Sequence, residues 1–333
     1  MLAGVTLSAK KAMAGEVALI ERIRARAQAR TRGALRLGIG DDCAVLAVPS
    51  GHELLVTTDF TLERRHFRRE WHSPQSVGHR CLARGLSDLA AMGAKPLAAF
   101  LSLALPRELT GAKNKWLEGF LDGLLALAAQ HGVPLAGGDT AESPSKNVLA
   151  DIVLLGSAPK GRSLRRAGAR AEDDIYVTGA LGGAAAELEL VQKTPKRFAN
   201  ARADGGHPHL FPQTRLAVGQ ALLRRGLATA CIDISDGLST DLAHLCSESG
   251  VGAEIAEAAL PVHTGATLQQ ALHGGEDYEL LFTARAGTKM PKKIAGVAIT
   301  RIGRIVKKRE MTLIAANGKK QPLEAKGWEH FSG

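Results

Sequence analysis

The sequence predicts an α/β or α+β protein in two domains. Short apolar runs typical of strands alternate with helical apolar spacing through both halves of the chain. A length of 333 residues is enough for two ordinary domains with a sizeable core. A basic, glycine-containing stretch, PKGRSLRRAGARAEDD, interrupts this pattern, so we place the domain boundary near residue 159.

The first part is predicted to hold a helical extension over residues 1–30, with its helix over 16–30, and a domain over 31–158. Strands are expected in HELLVTTDF, LAAFLSLALP and VLADIVLLGSA. Helices are expected in SVGHRCLARGLSDLAAMGA, closed by Gly93, and in KWLEGFLDGLLALAAQHG, because both have apolar residues at helical spacing.

The second domain, over 159–333, is predicted to begin with the strand DIYVTG. ALGGAAAELEL reads as a small-residue turn that opens a helix, residues 193–209 as a loop, and residues 214–226 as a further helix. LHGGEDYELLFTA is predicted to form a loop followed by a strand. Strands and helices therefore mix in both halves.

Composition narrows the class of protein. The chain is 45% hydrophobic and 23% charged, without an apolar run of membrane-spanning length or a secretory leader, which predicts a cytoplasmic enzyme or binding protein with no membrane partner. A net charge of +10 fits either a well-solvated basic surface or an anionic partner, which would be nucleic acid or a phosphorylated small molecule. Only 4% of residues are aromatic and no nucleic-acid-binding motif is present, which disfavours nucleic acid.

Carboxylates recur where strands end or glycine turns begin, as in CIDISDGLSTDL. They are Asp41, Asp42, Asp59, Asp88, Asp139, Asp233, Asp236, Glu276 and Asp277. Each alone fits a helix cap or a turn. Together, carboxylates ~4 Å apart would repel by ~4 kcal/mol at an effective dielectric constant of ~20, unless they are protonated or bind cations. With the hydroxyls of Thr57, Thr58 and Ser235 they are ligands suited to Mg²⁺, which predicts a magnesium–ATP site.

Common nucleotide and hydrolase motifs are absent from the sequence. There is no Walker phosphate loop, no protein-kinase HRD/DFG set and no GxGxxG dinucleotide motif. GxSxG and HExxH are also missing, and the four cysteines form no CxxC pair. An ATP-dependent enzyme with this sequence must therefore hold its nucleotide in a different way.

The motifs resemble those of the thiamine-monophosphate kinases, members of the aminoimidazole ribonucleotide synthetase superfamily. They are GIGDDCAVL, TTDFTLERRHF, LSDLAAMGAKP, GGDT, YVTG, IDISDGLSTDL, GGEDYEL and GWEHF, in the family's order over about residues 32–332. The resemblance implies an N-terminal α/β domain whose sheet pairs across a homodimer, and a C-terminal α+β domain. It also implies transfer of the γ-phosphate of ATP to thiamine monophosphate. We expect this transfer to be direct and to need no catalytic base, because a phosphate monoester with a second pKa of about 6 is already largely anionic at pH 7.

The resemblance also implies roles for individual residues. The magnesium ligands for several ions would be Asp42, Thr57, Thr58, Asp59, Asp88, Asp139, Asp233 and Asp236. The ATP contacts would be Gly138, Asp139, Arg166 and Ser235, and the contacts to the thiamine phosphate would be His66, Glu276 and Trp328.

One stretch departs from the family pattern. The family usually has Gly shortly before the histidine, whereas this chain has Arg64 and Arg65 before His66. The local conformation, and whether the added charge contacts a phosphate, stay open at this stage. Two alternatives also remain: a synthetase of the same superfamily acting on another small molecule, and a basic nucleic-acid-binding protein.

Overall fold

The computed structural model describes residues 16–27, 33–111, 114–204 and 206–329. The elements of the first half are α1 (Glu16–Ala27), β1 (Leu35–Leu37), β2 (Val45–Leu46), β3 (His52–Leu62), α2 (Pro74–Ala91), β4 (Lys95–Leu105), α3 (Arg107–Thr110), α4 (Trp116–His131), β5 (Leu135–Glu142) and β6 (Leu149–Pro159). The helix predicted over 16–30 is confirmed as α1, and residues 1–15 and 28–30 of the predicted extension lie outside the described residues.

The second half continues with a further set of strands and helices. They are β7 (Asp174–Thr178), α5 (Gly183–Lys193), α6 (Leu216–Arg225), β8 (Ala230–Ile234), α7 (Leu238–Ser249), β9 (Gly252–Ala256), α8 (Leu268–His273), β10 (Glu279–Ala284), β11 (Lys293–Ile294), β12 (Val297–Val306), β13 (Met311–Ile314) and β14 (Lys320–Pro322). The strands and helices predicted in this half are confirmed. No helix within the described ranges is both long and apolar enough to cross a membrane.

Two main sheets organise the chain. The N-terminal sheet has the order β3-β6-β4-β5, in which β4 and β5 are parallel and the other pairs antiparallel. The C-terminal sheet has the order β14-β13-β9-β12-β7-β10-β8, with β11 paired to β12. Mixed sheets with helices confirm the predicted fold class. The sheet changes between Pro159 and Asp174; the domain division at residue 159 itself stays a prediction.

Helix α2 lies between the two sheets. Ser73 caps its N-terminus by accepting a hydrogen bond from the backbone N–H of Ser76 at 3.2 Å, and Pro74 follows at the first helical position. Its apolar side joins a core that contains Leu82 from α2 and Phe282 from β10. The polar side of the same helix therefore faces the space between the two halves.

Helices α2 and α4 cross at very short range. A Cβ atom on Gly123 would lie 1.9 Å from the carbonyl oxygen of Gln75, and one on Gly78 would lie 1.8 Å from that of Phe120. Glycine at both positions lets the two backbones touch. This contact fixes where α2 presents its polar side chains.

Candidate active site

A cleft of about 530 Å³ lies between the two sheets. It is lined by β3, α2 and α5, by the loop after β8 and by the loop before β10. The predicted site residues in its wall are Asp59, His66, Asp88, Asp233, Ser235, Asp236, Glu276 and Trp328. The fold thus brings eight of the predicted residues, from both halves of the chain, to one cleft.

Three buried or half-buried aspartates form the acidic part of the cleft. Burial raises the pKa of Asp59 to about 7, against the opposing charge of Arg84. Burial also raises the pKa of Asp88, and it raises that of Asp233 well above the usual range, with the charge of Asp88 adding to the effect. Carboxyl groups with raised pKa values would ionise readily at neutral pH only beside a cation. A bound metal ion would supply that positive charge.

Two hydroxyl groups fix the orientation of these carboxylates. The Thr57 hydroxyl donates a hydrogen bond to Asp88 Oδ2, and the Ser87 hydroxyl donates one to Asp233 Oδ2 at 2.8 Å. Thr57 and Asp59 share the face of β3 that looks towards α2, since alternate residues of a strand point the same way. Thr57 therefore joins the acidic part of the cleft through Asp88.

The turn between β8 and α7 carries Ser235 and Asp236 into the cleft. Asp241, one turn into α7, accepts hydrogen bonds at Oδ2 from the backbone N–H groups of Ser235, Asp236 and Gly237, each at 3.1 Å. Gly237 has a φ of 114°, which side chains disfavour. Burial raises the pKa of Asp241 to about 7 despite these hydrogen bonds.

The other end of the cleft is built around Glu276. Arg80 Nη2 donates to Glu276 Oε1 at 2.6 Å, and His209 Nδ1 lies 3.3 Å from Oε2. Burial opposes ionisation of Glu276, but the charge of Arg80, the contact with His209 and the charge of Arg84 hold its pKa well below the usual range. Glu276 is therefore an oriented carboxylate, which suits recognition of a polar or cationic group on a ligand.

His66 and Trp328 lie at the cleft wall, and their contacts to the thiamine phosphate stay a prediction. His66 Nδ1 accepts the backbone N–H of Leu62 at 3.0 Å, which fixes the ring on the turn that follows β3. The Trp328 side chain is 49% exposed, and its backbone N–H donates to the carbonyl of Asp236 at 2.9 Å. Both side chains can therefore contact a molecule in the cleft.

Arg64 and Arg65, where this chain departs from the family pattern, lie in the turn that follows β3. Arg64 has a φ of 70°, in the left-handed region where glycine is favoured, so the turn keeps the backbone shape that a glycine would adopt. Arg64 Nε donates to Asn147 Oδ1 at 3.2 Å, and both arginines line the cleft. Arg64 and Arg65 therefore add positive charge at the cleft, while His66 still reaches the cleft wall.

A second cavity, of about 880 Å³, holds other predicted residues. Asp42, Gly138 and Asp139 line it together with α1 and the loop after β1. Gly138 has a φ of 147°, and a Cβ there would lie 1.9 Å from the carbonyl oxygen of Leu101. The predicted ligand set is thus divided between two cavities, and among the described residues no three His, Cys, Asp or Glu side chains already form a metal-binding group. The eight-residue ligand set stays a prediction.

Three predicted residues line neither cavity: Thr57, which reaches the cleft only through its hydrogen bond to Asp88, Thr58 and Arg166. Thr58 lies on the exposed face of β3, opposite to Asp59, and its hydroxyl donates to Asp151 Oδ1 at 2.7 Å. Arg166 is exposed in the connection between the sheets, although its charge lowers the pKa of Asp88 against the effect of burial. Their roles stay predictions.

Several residues that shape the site were missed by the sequence analysis: Arg80, Arg84, His209 and Asp241. Arg80, Arg84 and Asp88 recur at four-residue intervals on one face of α2, where Arg84 and Asp88 line the cleft and Arg80 contacts Glu276. That spacing could have indicated the two arginines. His209 lies in a stretch predicted only as a loop and gave no comparable signal.

Comparison with known proteins agrees with this fold. The AIR synthase related protein N-terminal domain matches residues 40–158, and the corresponding C-terminal domain matches residues 170–316. The chain therefore belongs to the family of AIR synthase related proteins. A thiamine-monophosphate kinase from Salmonella typhimurium is 38% identical to it, over 96% of this chain and 98% of the relative.

Solved structures extend the comparison. The thiamine-monophosphate kinase of Stenotrophomonas maltophilia K279a superposes with a TM-score of 0.78 and 37% identity, covering 90% of this chain and 96% of that one. The structure of AaThiL complexed with AMPPCP and TMP superposes with a TM-score of 0.73 and 30% identity, covering 98% and 100% of the two chains. Nearly full coverage in both directions indicates a shared domain plan.

Proposed function

We infer that this chain is an ATP-dependent kinase that converts thiamine monophosphate to thiamine diphosphate. The observation that carries the inference is one cleft with Asp59, Asp88 and Asp233 at one end and the oriented Glu276 at the other, in a chain that resembles thiamine-monophosphate kinases throughout. The relative complexed with AMPPCP and TMP supports this pair of substrates.

The reaction moves the γ-phosphoryl group of ATP onto a phosphate oxygen of thiamine monophosphate, and ADP leaves. A phosphate monoester has a second pKa of about 6, so the attacking oxygen is already anionic at pH 7 and needs no catalytic base. The barrier is the approach of two anions, which positioning and charge neutralisation lower. We propose direct in-line transfer without a phosphoenzyme.

Magnesium belongs to this proposal because the donor set fits it. The hard oxygen ligands would be the carboxylates of Asp42, Asp59, Asp88, Asp139, Asp233 and Asp236, with the hydroxyls of Thr57 and Thr58. Bound Mg²⁺ would neutralise phosphate charge and orient the phosphate oxygens. The raised pKa values of Asp59 and Asp88, caused first by burial, support a site that takes cations.

Substrate contacts complete the proposal. Gly138, Asp139, Arg166 and Ser235 would contact ATP; His66, Glu276 and Trp328 would contact the thiamine phosphate. Trp328 is exposed enough to stack on an aromatic ring of thiamine.

We also propose that two copies of the chain pair through the N-terminal sheet. Leu54, Val56 and Phe60 are 47%, 61% and 63% exposed on one face of β3, and such an apolar face is typical of a protein interface. The proposed location is the cytoplasm, where ATP is available, and the proposal includes no nucleic-acid or membrane partner.

The direct test is incubation of the protein with ATP, Mg²⁺ and thiamine monophosphate, with formation of thiamine diphosphate as the measurement. Unphosphorylated thiamine is the control acceptor and should yield no product. An absence of thiamine diphosphate at saturating substrates would rule out the proposed function. A labelled phosphoenzyme trapped with γ-labelled ATP would rule out direct transfer.

A further inference from the structure

Helix α2 places a fixed positive charge between the two ends of the cleft. Arg80, Arg84 and Asp88 follow one another at intervals of about one turn; Arg84 and Asp88 line the cleft, and Arg80 contacts Glu276 in its wall. Asp88 belongs to the acidic end, and Arg80 is bound to Glu276 at 2.6 Å. Arg84 lies between them and has no such strong partner.

The contacts of Arg84 are long for a buried cation. Its Nη2 lies 3.6 Å from Asp59 Oδ1, and its Nη1 lies 3.4 Å from Glu276 Oε1. Charge-assisted hydrogen bonds between such groups are usually about 2.7–2.9 Å long. Its Nε is also buried, and it has no hydrogen-bond partner within the part of the chain that the structure describes. The Arg84 guanidinium therefore has donor capacity left over.

Three other arginines at or beside the cleft, Arg64, Arg68 and Arg80, have nearer partners, and Arg65 is exposed on the turn after β3. Arg80 is only 3% exposed and contacts both His209 and Glu276. Arg68 stacks over the ring of Trp71 at 4.8 Å, and Arg64 binds Asn147. Arg84, with a side chain that is 16% exposed and a position in the cleft wall, combines access with unused donors.

We propose that Arg84 binds the phosphate group of the acceptor, between Asp59 and Glu276. This assignment rests on the proposed function and names a residue that the family pattern did not supply. A planar guanidinium matches two phosphate oxygens at once. Its fixed charge also offsets the repulsion that a phosphate meets beside Asp59 and Asp88. The enzyme should therefore bind the phosphorylated vitamin in preference to thiamine.

The test compares Arg84→Met with the wild-type protein and with Arg225→Met, a control that removes one exposed arginine from the end of α6. Steady-state kinetics give KM for each substrate, and calorimetry gives the affinities for thiamine monophosphate and thiamine without ATP. We expect the KM for thiamine monophosphate to rise at least about tenfold in Arg84→Met, and the KM for ATP to change less than about twofold, since a lost bond to a charged group weakens binding by about that factor or more. The preference for thiamine monophosphate over thiamine should fall by a similar factor. Arg225→Met should keep both KM values.

Arg84→Lys provides the second variant. It keeps the charge but loses the planar fork, so it should recover part of the lost affinity for thiamine monophosphate. An unchanged KM for thiamine monophosphate in Arg84→Met overturns the proposal, as does an equal loss of affinity for thiamine and thiamine monophosphate, which would mean that Arg84 only maintains the cleft. A wild-type protein that makes no thiamine diphosphate would instead refute the proposed function.

Discussion

At the scale of single residues, Asp233 is the most enclosed carboxylate of the acidic cluster. It is 4% exposed, it accepts a hydrogen bond from Ser87, and burial raises its pKa well above the usual range. A group held in this way favours the protonated form, so its ionised form at neutral pH destabilises the fold. Such a cost is common at sites where function depends on charge.

We therefore predict that Asp233→Asn lowers the activity of the protein without lowering its stability. The variant should lose at least about 100-fold in kcat, because a metal ligand supplies several kcal/mol to the transition state. Its free energy of unfolding at pH 8 without Mg²⁺ should be equal to or above that of the wild type, since the buried charge is gone. Chemical denaturation and steady-state kinetics measure the two effects. Near-normal turnover at saturating Mg²⁺ would remove Asp233 from the ligand set.

Asp59 makes the response to magnesium depend on pH. Burial raises its pKa from the ordinary 3.8 to about 7. A carboxyl group whose pKa is raised on folding stabilises the fold fully below pH ~4, and this contribution is lost as pH rises through ~7. Mg²⁺ binds the ionised form, so it should raise the melting temperature more at pH 8 than at pH 6. Scanning calorimetry with EDTA and with Mg²⁺ at both pH values checks this; an equal rise at both would contradict it.

At the scale of secondary-structure elements, the crossing of α2 and α4 determines where the cleft residues of α2 lie. Gly123 sits at the contact, where a Cβ would meet the carbonyl oxygen of Gln75 at 1.9 Å. Neither backbone can yield without moving the helix that carries Arg80, Arg84 and Asp88. The packing of two helices thus controls the geometry of the site.

Replacing Gly123 by alanine should therefore lower the free energy of unfolding by about 1–3 kcal/mol, the usual cost of overpacking. Activity should fall as well, because α2 must shift away from α4. The control is Gly111→Ala, where a Cβ would meet nothing within 4 Å and φ is −62°. Urea denaturation should leave that control within about 0.5 kcal/mol of the wild type. If the two substitutions cost the same, the close helix crossing is not what requires glycine.

At the scale of the whole molecule, the N-terminal sheet has two different faces. One face packs on α2 and contributes to the core, whereas Leu54, Val56 and Phe60 on the other face of β3 are exposed. Because neighbouring residues of a strand point to opposite faces, β3 serves the cleft with Thr57 and Asp59 and the outer surface with Val56 and Thr58. One strand therefore links the proposed site to the proposed dimer.

Val56→Asp should convert the proposed dimer to monomers, because a charge at the centre of an apolar interface is costly to bury. Light scattering coupled to size-exclusion chromatography measures the mass in solution. Leu190→Asp, at a residue of α5 that is 48% exposed, is the matched control and should leave the mass unchanged. A wild-type protein that is monomeric at micromolar concentration would refute the proposed pairing.

Much of the fold could be predicted from the sequence. The strands β3, β4, β6 and β7 and the helices α2 and α4 follow from apolar runs and helical spacing, because these patterns are local. The order of the Asp-containing motifs also indicated the family, and the family models and relatives confirm it. The periodicity of a strand or a helix depends on residues that are close together in the sequence, so it can be recognised in the sequence alone.

The arrangement of the site could be predicted only in part. The sequence indicated Asp59, Asp88 and Asp233 as partners, and the structure brings them to one cleft, but Asp42 and Asp139 line another cavity and Thr58 lies on the outer face of β3. Which face a strand residue takes depends on the register of the sheet and on what packs against it. Neither is encoded in the motif itself.

The sequence by itself determined the elements, the family and the kind of chemistry, because residue type and local spacing carry that information. Only the tertiary structure decided that Arg80 and Arg84 of α2 meet Glu276, at sequence separations of 196 and 192 residues. The physical reason is that such contacts depend on how α2 packs between two sheets, and packing is settled by all the contacting side chains together.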